Sequence, residues 1–261
     1  MKFAVLGSNT STSLSPRLHL FIYKSMKLDH LYSYIETQTI DPSILFKYDG
    51  LNITNPFKYN IIQYLDQLDT IAMKTQSINC IKVIDNIKIG YNTDYYGFDK
   101  SITLNNVDFE NKKIIVLGAG GVSSTICRYL ADNHVTFKII NRNQENLKLL
   151  INRLNLSKRN IAKSNSLHKI EYDIIINCLP SSADTNSYLR LIGLGTKHIK
   201  IYIDMNYNVK SNFIAGINAD KIIDGVDMLI FQAIKSIEIW MENDILHSVD
   251  YNRLRKHIIE N

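Results

Sequence analysis

The chain is 261 residues long, 45% apolar and 21% charged, with 30 Lys and Arg against 25 Asp and Glu and a formal net charge of +5. This composition belongs to a folded globular protein, not a disordered or disulfide-stapled one, and the length allows two lobes because single cores stop growing near ~250–300 residues. The basic residues are dispersed, Cys80, Cys127 and Cys178 form no C-x-x-C pair, and a run of only four apolar residues leads into Gly7, so nucleic-acid binding, disulfides, a signal peptide and a membrane span are not expected and a cytoplasmic protein is.

Taken in order, the residues predict a strand at 3–6 closed by Gly7, a polar loop, and a helix at 16–26 with Ser15 as N-cap and Pro16 first in the helix. Strands follow at 32–35 and 51–53, and Pro56 is expected to open a helix reaching Leu65. Segments 77–84 and 87–91 read as strands about Asp85-Asn86, a pair suited to a tight hairpin turn. Helical spacing returns at 95–104, and the polar stretch 105–111 marks a junction between lobes.

Beyond it, 113–117 is a continuous apolar strand, followed by a glycine turn, a helix through Leu130 and a strand at 136–140, which is a βαβ unit. Buried strands at 173–178 and 200–204 and closing helices at 228–240 and 251–259 complete the reading. Strands alternating with helices predict an α/β protein with parallel sheet.

The turn Gly118-Ala119-Gly120-Gly121 lies where a dinucleotide fold needs glycine, between a strand and a helix whose N-terminal N–H groups can meet a pyrophosphate. Ser123 occupies the last position of a strict G-x-G-x-x-G, so the pattern is a variant, and a structural turn is the plain alternative. After the next strand, where NAD enzymes carry an acid for the ribose hydroxyls, stand Asn141, Arg142 and Asn143. No carboxylate repels a phosphate there, and the planar guanidinium of Arg142 suits the 2′-phosphate of NADP; a solvated loop arginine is the alternative.

The runs from Ser11 to Pro16 and from Asn52 to Lys58 each read alone as a turn with a helix cap. With Asn92-Thr93-Asp94 they gather hydroxyls, amides, one ammonium and one carboxylate at strand ends, the groups a small polyhydroxy acid needs in an α/β crevice. None of the seven histidines has H-x-x-x-H spacing, so no metal is expected.

Six runs in one order, S-L-S-P, G-L-N-I-T-N-P-F-K, N-T-D, G-A-G-G, N-R and D-G-V-D-M-L-I-F-Q-A, resemble shikimate dehydrogenase over nearly the whole chain. The resemblance implies a two-domain α/β protein: a substrate lobe at 1–104 completed by helices at 226–261, an NADP-binding Rossmann lobe with a doubly wound parallel sheet at 105–225, and a cleft between them. It implies NADPH-dependent reduction of 3-dehydroshikimate to shikimate, in aromatic amino acid biosynthesis, by a monomer or homodimer. Ser13 and Ser15 would bind the substrate carboxylate, and Thr54, Asn79, Thr93 and Gln232 the carboxylate or ring hydroxyls. Tyr207 would approach from the cofactor lobe, and Gly225 and Met228 would join the Gly118 to Gly121 turn and Asn141 to Asn143 as cofactor contacts.

Lys58 and Asp94 would be the catalytic pair. As hydride reaches the ketone carbon, negative charge grows on oxygen; an ammonium stabilises it and donates a proton, while a nearby carboxylate holds the ammonium.

Departures from the family pattern concentrate on the cofactor side. Gln76-Ser77 replaces Gly-Ala before Asn79, Tyr95 replaces a glycine, and the loops at 177–183 and 207–212 have changed, the second losing both prolines. Asn143 replaces Thr and Asn146 a second Arg, so NADP preference is expected to survive on Arg142 but weaken. Competing readings are a quinate/shikimate dehydrogenase using NAD as well, opposed by the two hydroxyls of Ser13 and Ser15, an aminoshikimate enzyme, and a non-catalytic protein with decayed cofactor loops, opposed by the intact Lys58 and Asp94 set.

Overall fold

The computed structural model describes residues 1–162, 171–180, 182–195, 197–207 and 217–260. They pack as two compact units, Met1–Ser101 with Asp227–Asn261, and Ile102–Val226. The partition falls after Ser101, three residues before the end of a continuous helix, where the sequence reading puts it at Leu104.

The first unit opens with β1 (Lys2–Gly7), α1 (Ser15–Ser25), β2 (Leu31–Glu36), β3 (Gly50–Ile53), β4 (Gln67–Leu68), α2 (Thr70–Thr75), β5 (Cys80–Ile84), β6 (Ile87–Tyr91) and α3 (Thr93–Leu104). The strands form one sheet in the order β2-β1-β3-β5-β6-β4. β1 runs parallel to β2 and β3, whereas β5 is antiparallel to β3 and β6, so this sheet is mixed and not purely parallel. β5 turns back into β6 at Asp85-Asn86, where both residues take left-handed conformations at φ 50° and 63°. The central strands β1 and β3 are buried along nearly their whole length, and Leu6, Leu51, Ile53, Phe57, Ile61 and Ile78 share one core.

Two local expectations fail. Leu18 N–H bonds Leu14 O at 3.0 Å, so α1 starts one residue earlier than expected: Leu14 is the cap position, Ser15 the first helical residue, and Ser13 Oγ accepts from Ser15 N at 3.2 Å. Pro56 opens no α-helix. Ile78 N–H takes the Lys58 carbonyl at 2.8 Å, the carbonyl a helix would reserve for residue 62, and only a short 3-10 turn forms at Asn60–Tyr64.

The second unit carries β7 (Ile114–Leu117), α4 (Gly121–Asp132), β8 (Phe137–Ile140), α5 (Gln144–Arg153), β9 (Ile174–Asn177), α6 (Thr185–Leu191), β10 (Ile199–Asp204) and β11 (Ala219–Ile223). Its sheet is parallel throughout, in the order β11-β10-β9-β7-β8, with a parallel bridge from Ile139 to Ile161 beyond β8. Counting that bridge as a third strand, the order is that of the doubly wound dinucleotide fold, and the winding reverses between β7 and β9. Every residue of β7 and β9 is buried, as strands covered on both faces require.

Two C-terminal helices, α7 (Val226–Met241) and α8 (Tyr251–Glu260), return to the first unit. Trp240 of α7 stacks on Phe3 at 4.4 Å and donates its indole N–H to Ile81 O at 2.9 Å. Among the described residues no helix is long and apolar enough to cross a membrane.

Candidate active site

In the first unit, the chain leaving β3 brings Lys58 to the first turn of α3. Lys58 Nζ lies 2.5 Å from Asp94 Oδ2, and both residues are buried. Asn79, immediately before β5, lies beside them. Its Nδ2 reaches Asp94 Oδ1 at 2.9 Å, Thr93 Oγ1 at 2.8 Å and Gln232 Oε1 at 3.2 Å, and its Oδ1 accepts from Thr93 N at 2.6 Å. Gln232 enters from α7 and donates its own amide to Leu229 O at 2.9 Å. Five of the expected site residues are thus one hydrogen-bonded cluster, assembled from a loop, a sheet edge and two helices.

Ser13 and Thr54 belong to neighbouring loops, and Ser15 opens α1. Ser8 N–H bonds Asn55 O at 3.1 Å and Thr54 N–H bonds Leu6 O at 2.9 Å, so the chain after β3 runs beside the chain after β1. The contacts of Ser13 and Ser15 are with their own loop, through Ser15 N–H and Thr10 O.

Asn92 and Asn52 lie in the runs singled out in the sequence but without an assigned role, and Ser236 lies outside them; all three are buried. Asn92 Nδ2 bonds Ser77 O at 2.7 Å and Thr75 Oγ1 at 3.1 Å, while its Oδ1 caps α3 through Tyr95 N at 3.1 Å. Asn52 and Ser236 bond each other at 3.0 Å, and Ser236 Oγ lies 3.1 Å from Thr93 Oγ1. Ser236 was detectable in principle, since it follows Gln232 by four residues on the same helix face. Gln76, where the family pattern has glycine, takes the left-handed C-cap of α2 at φ 49°. The Cys80 thiol beside Ser236 is pushed up to about 12 by its complete burial, so it stays protonated and inert.

The second unit offers a separate group. Gly118 has φ 108°, and a β-carbon there would stand 3.1 Å from Cys178 O, so this turn requires glycine. Gly120 precedes α4 with no atom within 4 Å of where a β-carbon would be, and its N–H bonds Ser123 Oγ at 3.3 Å. Ser123 thus closes the turn from the helix side, in place of the third glycine. Ala119 and Gly121 complete the strand-to-helix turn.

Past β8, Asn143 Oδ1 accepts from Glu145 N at 2.9 Å and Asn146 N at 3.0 Å, capping α5, and Asn141 Nδ2 bonds Asn143 O at 2.8 Å. These two amides shape the turn on which exposed Arg142 is carried, close enough to Tyr188 to oppose the burial that raises that phenol. Open space at Gly120, helix N–H groups and an exposed guanidinium flanked in sequence by asparagines fit a phosphorylated dinucleotide.

Gly225 N–H bonds Asn206 O at 3.0 Å within the second unit, whereas Met228 lies in the first, its carbonyl facing Gly97 of α3. Tyr207 belongs to the second unit and follows a tight polar knot: Asn177 Nδ2 donates to Asp204 Oδ2 at 3.2 Å, and Asn206 Nδ2 to Asp204 Oδ1 at 2.8 Å and Leu179 O at 3.1 Å. Burial raises the Asp204 carboxyl. Ser181 and the changed loop at 208–212 lie outside the described residues. Among the described residues no cluster of three His, Cys, Asp or Glu could hold a metal.

Two family models match: the shikimate dehydrogenase substrate binding domain over residues 5–81, and shikimate / quinate 5-dehydrogenase over residues 101–187. Shikimate dehydrogenase (NADP(+)) of Clostridium botulinum is 34% identical over 92% of this chain and 96% of its own length. The Staphylococcus aureus enzyme of the same name is 31% identical over 100% of this chain and 98% of its own. The crystal structure of shikimate dehydrogenase 1 from Peptoclostridium difficile superposes with a TM-score of 0.81 at 28% identity, covering 99% of this chain and 97% of that one.

Proposed function

The chain belongs to the shikimate dehydrogenase family, and from that premise we propose that it catalyses the reversible NADPH-dependent reduction of 3-dehydroshikimate to shikimate. The observation that carries the proposal is the buried Lys58 and Asp94 pair inside a cluster of hydrogen-bonding side chains, an arrangement that a merely structural protein has no need to keep.

Met1–Ser101 with Asp227–Asn261 forms the substrate unit, and Ile102–Val226 the NADP unit. Gly118, Ala119, Gly120, Gly121, Asn141, Arg142, Asn143, Gly225 and Met228 hold NADP, which when bound supplies or takes the hydride. Ser13 and Ser15 take the substrate carboxylate, and Thr54, Asn79, Thr93, Tyr207 and Gln232 its remaining oxygens.

The Lys58 ammonium sits against the reacting oxygen, stabilises the developing alkoxide and delivers its proton there. Asp94 holds that ammonium aimed, and Asn79 holds the carboxylate by its other oxygen. Burial strengthens both interactions, because the local dielectric is low. Cys80, Cys127 and Cys178 are all free thiols, which agrees with action in the reducing cytoplasm.

The test is the formation of reduced cofactor by purified protein given shikimate or quinate, each with NADP or NAD. Turnover of shikimate with NADP, faster than any other combination, is expected; no shikimate-dependent turnover contradicts the assignment.

A further inference from the structure

The assignment above leaves one buried polar chain without a role. Tyr32 OH donates to Asn52 Oδ1 at 2.7 Å, which fixes the orientation of that amide and turns its two N–H bonds the other way. They go to Asn79 O at 3.1 Å and to Ser236 Oγ at 3.0 Å. Ser236 gives its hydrogen to Gln232 O at 2.9 Å, so toward Thr93 Oγ1 at 3.1 Å it presents a lone pair. The Thr93 hydroxyl therefore donates to Ser236 and keeps a lone pair for Asn79 Nδ2. One Asn79 hydrogen goes to Thr93, and the other to Asp94 Oδ1 at 2.9 Å, with Gln232 Oε1 a longer third acceptor at 3.2 Å.

We propose that Tyr32, acting through Asn52, and Ser236, acting directly on Thr93, are positioning residues that set the donor and acceptor polarity of Thr93 and Asn79 and so hold Asp94 against Lys58. The proposal rests on Lys58 and Asp94 being the reaction centre. Tyr32 is braced for the role: its ring stacks on His19 with centroids 4.0 Å apart and planes 12° from parallel, in a wall that includes Trp240. Tyr32, Asn52, Asn79, Thr93 and Ser236 are all buried, so a group that loses its partner recovers no bond from bulk water, and the disturbance passes to its neighbour. β1 separates β2 from β3 in the sheet, so the Tyr32 hydroxyl carries orientation from an edge strand into the site.

A double-mutant cycle tests this. Tyr32→Phe removes one hydroxyl and keeps the stacked ring; Ser236→Ala removes the other. Each variant is expected to lower kcat for shikimate oxidation about tenfold, the effect of one disturbed buried hydrogen bond, with KM for NADP unchanged. The double variant should fall no further than the more impaired single, because the effect of Tyr32 reaches Thr93 by way of Ser236. Losses that multiply, or a lowered Tm with unchanged kcat, overturn the proposal and leave packing as the only role.

Protein labelled with 15N at asparagine gives a readout independent of turnover. The Asn79 side-chain amide resonances move in both variants if the relay exists, and stay in place if it does not. Wild-type protein lacking shikimate turnover defeats the assigned function, whereas unmoved resonances defeat the relay.

Discussion

Lys58 Nζ stands 2.5 Å from Asp94 Oδ2, with the two side chains only 9% and 8% exposed. Removing one member of such a pair leaves the other charge buried and unanswered. Lys58→Met is expected to lower the unfolding free energy by about 3 kcal/mol in urea denaturation. Adding Asp94→Asn should recover part of that loss, since the stranded charge is gone and an amide oxygen still meets Asn79. A double variant less stable than the single would contradict this reading of the pair.

Gly97 is the crossing point of α3 and α7. A β-carbon there would stand 2.6 Å from Met228 O and 3.0 Å from Gln232 N, both backbone atoms that cannot swing aside. Gly97→Ala must push the helices apart and draw Gln232 away from Asn79. The expected result is a loss of about 1–3 kcal/mol in stability with a several-fold rise in KM for shikimate. Unchanged thermal unfolding and unchanged KM would show that the crossing is slack.

Arg142 is exposed on the turn after β8, between Asn141 and Asn143. Arg142→Ala is expected to raise KM for NADP about tenfold, one lost charge-assisted contact, and to leave KM for NAD unchanged. A wild type that uses NADH as efficiently as NADPH, or a variant with both constants raised equally, would remove Arg142 as the phosphate contact.

His19 is fully buried among aromatic rings, and burial lowers its pKa to about 3. The unfolded chain takes up this proton near the ordinary value of about 6.5, so below that pH the unfolded state binds more protons than the folded one. The contribution of His19 is therefore complete above about 6.5 and is lost as pH falls toward 3, at about 1.4 kcal/mol per pH unit. His19→Phe, which keeps a ring against Tyr32, should flatten the dependence of Tm on pH between about 4 and 6.5. Parallel profiles for variant and wild type would exclude His19 as the source.

Much of the fold was readable because its signals are local. The buried strands of the second unit are continuous apolar runs, and Asp85-Asn86 marks the hairpin of the first unit in two residues. Elements fixed by distant partners were not readable. The helix expected from Pro56 yields because Ile78, twenty positions away, captures the Lys58 carbonyl, and the two-residue β4 exists only by pairing with β6. The α5, α6 and β11 segments were not read, although in α5 the buried Leu147, Leu150 and Ile151 recur at helical spacing. At the site, Lys58, Asn79, Thr93, Asp94 and Gln232 were named from motifs and are hydrogen-bonded together; Ser236 was passed over although it follows Gln232 by four residues, and Tyr32 was not legible because its bond to Asn52 joins two strands with a third between them.

The central claim is that Lys58 handles the proton of a hydride transfer to and from shikimate. Its most direct measurement is the rate of NADPH formation from shikimate and NADP by wild type and by Lys58→Ala, with folding of the variant checked by circular dichroism. Turnover in the wild type and a kcat lower by about 10²–10⁴-fold in the folded variant is predicted, the range for loss of a general acid or base. A folded Lys58→Ala variant with unimpaired kcat would contradict it.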